Sequence, residues 1–300
     1  MSTRITIRNA VLAATLAAAP LAAQGTQRGA RTSQPPTRDV AFTATDIGLT
    51  GPDSVAADLV NVKLVNRGHE IHQIRFFLVT TAPRTAREAV DSLRQSGRLP
   101  GWLNLPAGGV GPVAPGQTGV VIQRLQPGQY VVLDDLLGHD AVVWARKGLA
   151  RALVVRGSAS NVQPMVTASA GLLVGNAFRF GTMLNRRGEN VLLEGRNRLS
   201  TLHPGDNIIQ IENLGASRSI VLLKTDSPTG MRRFSQWLET GAGDPGGAIA
   251  GGVPNSRIGG RVYLRVRMEH GTYFIFCPQT NPQTRLRGFE TGEFAQFIVR

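Results

Sequence analysis

The chain carries one pattern twice, and that duplication restricts its fold more than any other feature. A short alternating run ends in Asn66-x-Gly68, a Gly108-Gly109 pair follows, and a further run opens at Gly128-Gln129-Tyr130. The same order returns as Asn213-x-Gly215, Gly251-Gly252 and Gly271-Thr272-Tyr273. The offset is 147 residues at the Asn and 143 from the Gly-Gly onward, so one small change of length separates the copies. A unit repeated in this way predicts two bodies of one architecture, spanning 39–156 and 164–300 and joined near 157–163.

The runs inside each copy have the two-residue period of half-buried strands. Val60, Val62 and Leu64 alternate with Asn61, Lys63 and Val65, and Ile209 and Ile211 take the inward places in the second copy. Matched runs follow at 116–125 and 260–268, then the aromatic segments from Tyr130 and Tyr273, then the closing segments Leu153-Val154-Val155 and Phe297-Ile298-Val299. Many short strands with Gly and Pro between them predict an all-β sandwich or barrel. One helix per copy interrupts the pattern. Thr85-x-x-Glu88 is a capping-box sequence that leads into Ala89, Val90 and Leu93 before Gly97. Met231, Phe234, Trp237 and Leu238 recur at helical spacing before Gly241. The Gly241-x-Gly243-x-x-Gly246 that follows is read as a loop, because a dinucleotide fingerprint follows a strand and opens a helix.

The first residues read as an export signal. Arg4 and Arg8 precede an apolar stretch over 11–19, and Leu21-Ala22-Ala23 offers small residues for cleavage. Residues 1–23 are therefore expected to be a signal peptide, 24–38 a flexible tether, and the mature chain secreted or periplasmic. The apolar stretch is too short to span a bilayer, so no transmembrane segment is expected. The formal charge of +13 comes mostly from scattered arginines and includes no basic run, which argues against a nucleic-acid partner. The single cysteine, Cys277, rules out a disulfide within the chain.

The motifs Leu64–Gly68, Glu70-Ile71-His72, Ala114-Pro115-Gly116 and Leu125–Tyr130, with their counterparts in the second copy, resemble those of secreted bacterial tandem cupredoxin-like proteins. The likeness covers essentially all of the mature chain. It implies two Greek-key β-sandwich domains, each with one short inserted helix. It also implies copper held by two imidazoles, a thiolate and a thioether.

At the positions the resemblance assigns to these ligands, the first copy carries His72, Asp134, Trp144 and Leu149. The second carries Ser219, Cys277, Gly288 and Glu293. Each copy thus retains one ligand of the family's set. His72, Asp134 and Cys277 remain as vestigial metal-ligand positions. His69, Glu70 and His139 lie near them in sequence, and His69 and His72 could share an ion only if their segment loops. Cys277 is read as an ancestral ligand position that now fills a half-buried site. Trp102 and Trp144 are contact aromatics if exposed.

No nucleophile elbow, zincin motif or phosphate loop is present. The expectation is an exported, non-catalytic protein that takes no cofactor and acts in binding or assembly with a protein or envelope partner. The loops at His72, 134–144 and 278–287 are the recognition surface. The alternative is a copper-binding or electron-transfer protein with a non-standard or shared site, such as His72 of one chain with Cys277 of another.

Overall fold

The computed structural model describes residues 38–159, 166–174, 179–180, 182–184, 190–192, 202–213, 218–255, 260–281 and 284–300. The expected signal peptide, most of the tether, residues 160–163 of the expected joint and the first two residues of the expected second copy lie outside the described residues. The described residues belong to one compact unit, Gln34–Arg300.

In the first repeat the elements are β1 (Arg38–Thr45), β2 (Gly48–Thr50), β3 (Ser54–Ala56), β4 (Asp58–Asn66), β5 (His72–Leu78), α1 (Ala86–Ser96), β6 (Leu105–Val113), β7 (Thr118–Leu125), β8 (Gly128–Leu133) and β9 (Ala150–Arg156). The second repeat has β10 (Ala170–Val174), β11 (Arg179–Phe180), β12 (Thr182–Leu184), β13 (Asn190–Leu192), β14 (Gly205–Asn213), β15 (Ile220–Lys224), α2 (Thr229–Thr240), β16 (Ala248–Val253), β17 (Arg261–Met268), β18 (Gly271–Phe276), a 3-10 turn at Gly288–Thr291, and β19 (Phe294–Val299). The chain is an all-β sandwich, with two α-helices among the described residues, as the periodicity predicts.

The repeats share a sheet. Its order is β11-β10-β14-β17-β7-β4-β1-β2, so strands of both copies form one eight-stranded layer. Five strands of the first repeat, β3-β9-β8-β5-β6, form a second sheet, and four of the second, β16-β15-β18-β19, form a third. The join is the antiparallel pair β7–β17, with Tyr263 opposite Ile122, Leu264 opposite Val121 and Arg265 opposite Val120. Val121 faces Val62 on its other side, and Leu264 faces Ile209. The two residues at the centre of the join therefore occupy equivalent places, and the repeats meet about a local two-fold axis. One core cluster runs through both copies and contains Val62, Val121, Ile209 and Leu264, all fully or nearly fully buried.

The repeated motifs have local physical causes. Asn66 is fully buried. Its Nδ2 donates to the carbonyls of Glu70 (2.7 Å) and Val113 (2.8 Å), and its Oδ1 accepts from the Gly68 amide (2.9 Å). The side chain thus closes the loop between β4 and β5. The Tyr130 hydroxyl donates to the Gln126 carbonyl at 2.8 Å, and that of Tyr273 donates to the Glu269 carbonyl at 3.2 Å. Each ties a strand entry to the turn before it, which is why both copies carry Gly-x-Tyr. Gly109 and Gly252 pack against the carbonyls of Ile74 and Ile220 so closely that neither position has room for a Cβ.

The helices follow their sequence signals. The Thr85 side chain accepts from the Glu88 amide at 3.1 Å, and Gly97 ends α1 at φ +70°. Ala86, Ala89, Val90 and Leu93 of α1 pack on Phe77, Val131 and Leu133. In α2, Phe234 meets Phe276 edge to face at 5.8 Å. No helix among the described residues is long and apolar enough to cross a membrane.

Gly109 and Gly116 separate steric contact from backbone strain. Gly109 has φ +136° and abuts a carbonyl, whereas Gly116 has φ +73° and nothing within 4 Å of where a Cβ would stand. Gly116→Ala is expected to cost about 1–2 kcal/mol from its backbone conformation alone. Gly109→Ala should cost clearly more, which denaturant unfolding of the two variants will check.

Candidate functional site

The first repeat brings together the residues that its loops carry in sequence. His72 opens β5 and Asp134 follows β8, the neighbouring strand. Both are fully buried. The Nδ1 of His72 lies 2.8 Å from Asp134 Oδ2. The Leu136 amide donates to Asp134 Oδ1 at 3.0 Å, and the Gln73 amide donates to Oδ2 at 3.3 Å. Trp144 is buried and stands edge-on to the His72 ring, 4.8 Å between centroids. Lys147 Nζ lies 4.0 Å over the Trp144 ring and pairs with Asp140 at 2.7 Å. Leu149 is fully buried, and its amide donates to the Trp144 carbonyl at 3.1 Å.

Asp46, in the turn between β1 and β2, completes the group, although nothing in the sequence singles it out. Its Oδ1 lies 3.2 Å from His72 Nε2, and its Oδ2 lies 2.9 Å from Nδ1 of the exposed His69. The His69 amide also donates to it at 3.0 Å. The segment between β4 and β5 does loop, so His69 and His72 reach one carboxylate from two sides. A hydrogen-bonded row therefore runs from buried Asp134 through His72 and Asp46 to His69 at the surface. Glu70 and His139 form a separate exposed pair at 2.7 Å. Asp135 turns away from Asp134 and takes Arg75 and Gln73.

The charges follow from this geometry. Burial raises the Asp134 carboxyl to about 6, against the lowering pull of His72. Burial also disfavours the His72 imidazolium, but Asp134 and then Asp46 outweigh it, so His72 is raised above its ordinary value. Burial works against ionised Asp46 as well. The His69 amide and ring, the His72 ring and the Glu70 amide nevertheless hold it down at about 2.

In the second repeat the strand register corrects one sequence assignment. Arg75 stands opposite Leu133 and Leu78 opposite Tyr130, while Val221 stands opposite Phe276 and Lys224 opposite Tyr273. Counting back three residues from Arg75 and from Val221 makes Arg218, not Ser219, the counterpart of His72. Six residues counted from the Asn miss this, because Arg218 comes five residues after Asn213 whereas His72 comes six after Asn66. Ser219 instead bonds Asn255 Oδ1 at 2.8 Å and, through its amide, Gln279 Oε1 at 3.0 Å.

Cys277 is fully buried, not half-buried as expected. Its amide donates to the Glu293 carbonyl at 3.0 Å, and its carbonyl accepts from Phe289 at 3.1 Å. Gly288 packs so closely that a Cβ there would lie 2.7 Å from Cys277 Cβ and collide with Glu293 Oε2. The residues aligned by sequence as Cys277, Gly288 and Glu293 thus do meet. Arg218 Nε lies 3.4 Å from Glu293 Oε1. Burial pushes the Cys277 thiol up to about 12, and neighbouring Glu293 adds to the shift. Trp144 is buried and is no contact aromatic, whereas half-buried Trp102 stacks with Arg84 at 5.8 Å.

The two loops also touch through α2. Gly241, at its C-terminal end, packs on the carbonyls of Leu137 and Gly138 in the first repeat, and Glu239 pairs with Arg287 at 3.0 Å in the second.

Comparison with known proteins gives no matching family model and no matching curated protein. Solved structures do match. An auracyanin from Roseiflexus castenholzii aligns with 13% identity over 40% of this chain and 98% of its own, at TM-score 0.28. A copper-containing nitrite reductase from Thermus scotoductus aligns with 14% identity over 88% of this chain and 62% of its own, at TM-score 0.24. A multicopper oxidase aligns with 15% identity over 87% of this chain and 88% of its own, at TM-score 0.23. These scores and identities are too low to carry a family or an activity to this chain.

Two predictions follow from the charges. Both members of the buried pair bind protons more tightly folded than unfolded. Their stabilisation is therefore full in acid, falls first as pH rises from about 4 to about 6 through Asp134, and falls again above about 6.5 through His72. Asp134→Asn removes the carboxylate and should flatten that decline, as read from thermal midpoints across a pH series. Cys277 should resist thiol reagents at pH 8 in the folded protein and react at once in guanidinium.

Proposed function

We propose that this chain is an exported, non-catalytic protein of two cupredoxin-like repeats, 39–156 and 164–300, that has exchanged its copper chemistry for a binding or assembly role. The observation that carries this reading is the buried His72–Asp134 hydrogen bond at 2.8 Å. The imidazole nitrogen that would face a metal is instead bonded to a carboxylate. Trp144 and Leu149 fill the places of the other two ligands with groups that donate no electron pair.

The second repeat supports the same reading by a different route. A guanidinium, Arg218, stands where the first imidazole would be, and the thiol is held protonated beside Glu293. A type 1 centre needs two imidazoles and a thiolate, and neither donor set fits it. The His72–Asp134 pair is also a poor candidate for catalysis. Both side chains are fully buried beneath Trp144 and Asp46, out of reach of a substrate.

The loop ends provide recognition surface. Ile47, in the turn that carries Asp46, is 85% exposed in the first repeat, and Leu286 is 46% exposed in the second. A shared copper site would require His72 and Cys277, both sealed in their own cores, to leave them. Titration of the purified protein with Cu(II) decides between the two classes. No intense visible band and no thermal shift are expected, whereas a blue band or stoichiometric copper would sink the proposal.

A further inference from the structure

The two smaller sheets differ at one edge. In the first repeat β3 covers the edge of β9, with Ser54 opposite Val154, Val55 opposite Val155 and Ala56 opposite Arg156. The counterpart of β9 is β19, because Tyr130 stands opposite Leu153 and Tyr273 opposite Phe297. Among the described residues β19 pairs with β18 alone and ends its sheet. Leu202 and His203, spaced from Asn213 as Val55 and Ala56 are from Asn66, belong to no strand.

The phase of the β18–β19 ladder shows which main-chain groups face the open side. The Cys277 amide donates to the Glu293 carbonyl, and antiparallel bonding alternates, so Ala295, Phe297 and Val299 turn their main-chain groups to β18. The amides and carbonyls of Gln296 and Ile298 therefore point away from the sheet, as does the Phe294 carbonyl. The Phe294 amide donates instead to the Gly292 carbonyl at 2.9 Å. The face of β19 is open as well. Ala150 and Ala152, the equivalents of Phe294 and Gln296, pack in the cluster beneath α1. Phe294 and Ile298 are 39% and 52% exposed. From Phe294 to Val299 there is neither a charge nor a proline, the usual guards of an edge strand.

We propose that β19 is the contact through which two copies of this chain form a dimer, by antiparallel pairing about a two-fold axis at Gln296. The strand is complementary to itself in that register. Gln296 bonds Gln296 of the partner copy through both main chains, and the Ile298 amide donates to the Phe294 carbonyl of the partner copy. On the open face Phe294 meets Ile298 of the partner copy, an aromatic and β-branched pair that stabilises a sheet. A shift of two residues either way would set Phe294 against Gln296 or Arg300 instead. The other edge strand of this sheet, β16, already lies against the first repeat, where Gly252 packs on Gly111. Pairing at β19 is isologous and closes at two copies. This assembly goes beyond the binding role above and does not depend on the loss of copper.

Sedimentation of the purified full chain between about 1 and about 300 µM is expected to show a monomer passing to a dimer. Ile298→Lys should weaken that dimer by about tenfold or more, against less than about twofold for Ile47→Lys, an exposed isoleucine in another turn. Cross-linking reads the register. Under diamide Gln296→Cys should join to itself between copies, because residues opposite in a bonded pair have Cα atoms about 5.5 Å apart. Ile298→Cys should not, because the two copies of that residue lie about 13 Å apart along the strands. Amide exchange on the wild type adds a readout independent of any variant's folding: dilution should speed exchange at Gln296 and Ile298. A monomer at every concentration, equal loss in both lysine variants, or cross-linking of Ile298→Cys as fast as Gln296→Cys would each overturn the proposal. Copper titration tests the preceding reading separately, so a copper-free monomer loses only the dimer.

Discussion

Three residue pairs at the centre of an eight-stranded sheet hold the molecule in its present form. Val121 and Leu264 face each other at equivalent positions of the two repeats, with Val120–Arg265 and Ile122–Tyr263 on either side. That pairing turns two sandwiches into one compact unit with a continuous core. It also brings the edge strands β6 and β16 together, where the backbone of Gly111 packs on Gly252 so closely that a Cβ would lie 2.7 Å from the Gly252 Cα.

The two repeats resolve the same problem differently. Each has a buried spot at one end of its sandwich where polar groups converge. In the first, an imidazole and a carboxylate satisfy one another, and Asp46 satisfies the remaining ring nitrogen. In the second, Arg218 and Glu293 pair beside a protonated thiol. Removing one partner of such a pair strands a buried charge, typically a loss of about 3–5 kcal/mol. These groups are therefore mutually dependent structural parts, whatever their ancestry.

Much of the fold was legible because its signals are local. Asn66, Tyr130 and Tyr273 each bond to main chain within a few residues, so their spacing in the sequence carries their role. The capping Thr85 and the helix-ending Gly97 are local in the same sense. The convergence of Cys277, Gly288 and Glu293 could be anticipated from alignment of the last strands. Arg218 could not be, because a one-residue difference in spacing from the Asn is invisible until the ladder with β18 fixes the register. Asp46 escaped notice because its partners lie more than twenty residues away and a turn aspartate has many ordinary uses.

By itself, then, the sequence determined that this is a duplicated all-β chain, where the repeated alternating strands and the two helices lie, and which residue types stand at the ends of each sandwich. Strands such as β1, β6, β15 and β16 were not read from it. Alternation, turn chemistry and capping act over a few residues, and such rules can be read along a chain. Only the tertiary structure decided that β7 takes β17 as its partner, that Asp46 closes over His72, and that Cys277 is sealed beside Glu293. Strand pairing and burial depend on residues brought together from distant positions, and a period-two pattern is compatible with many partners.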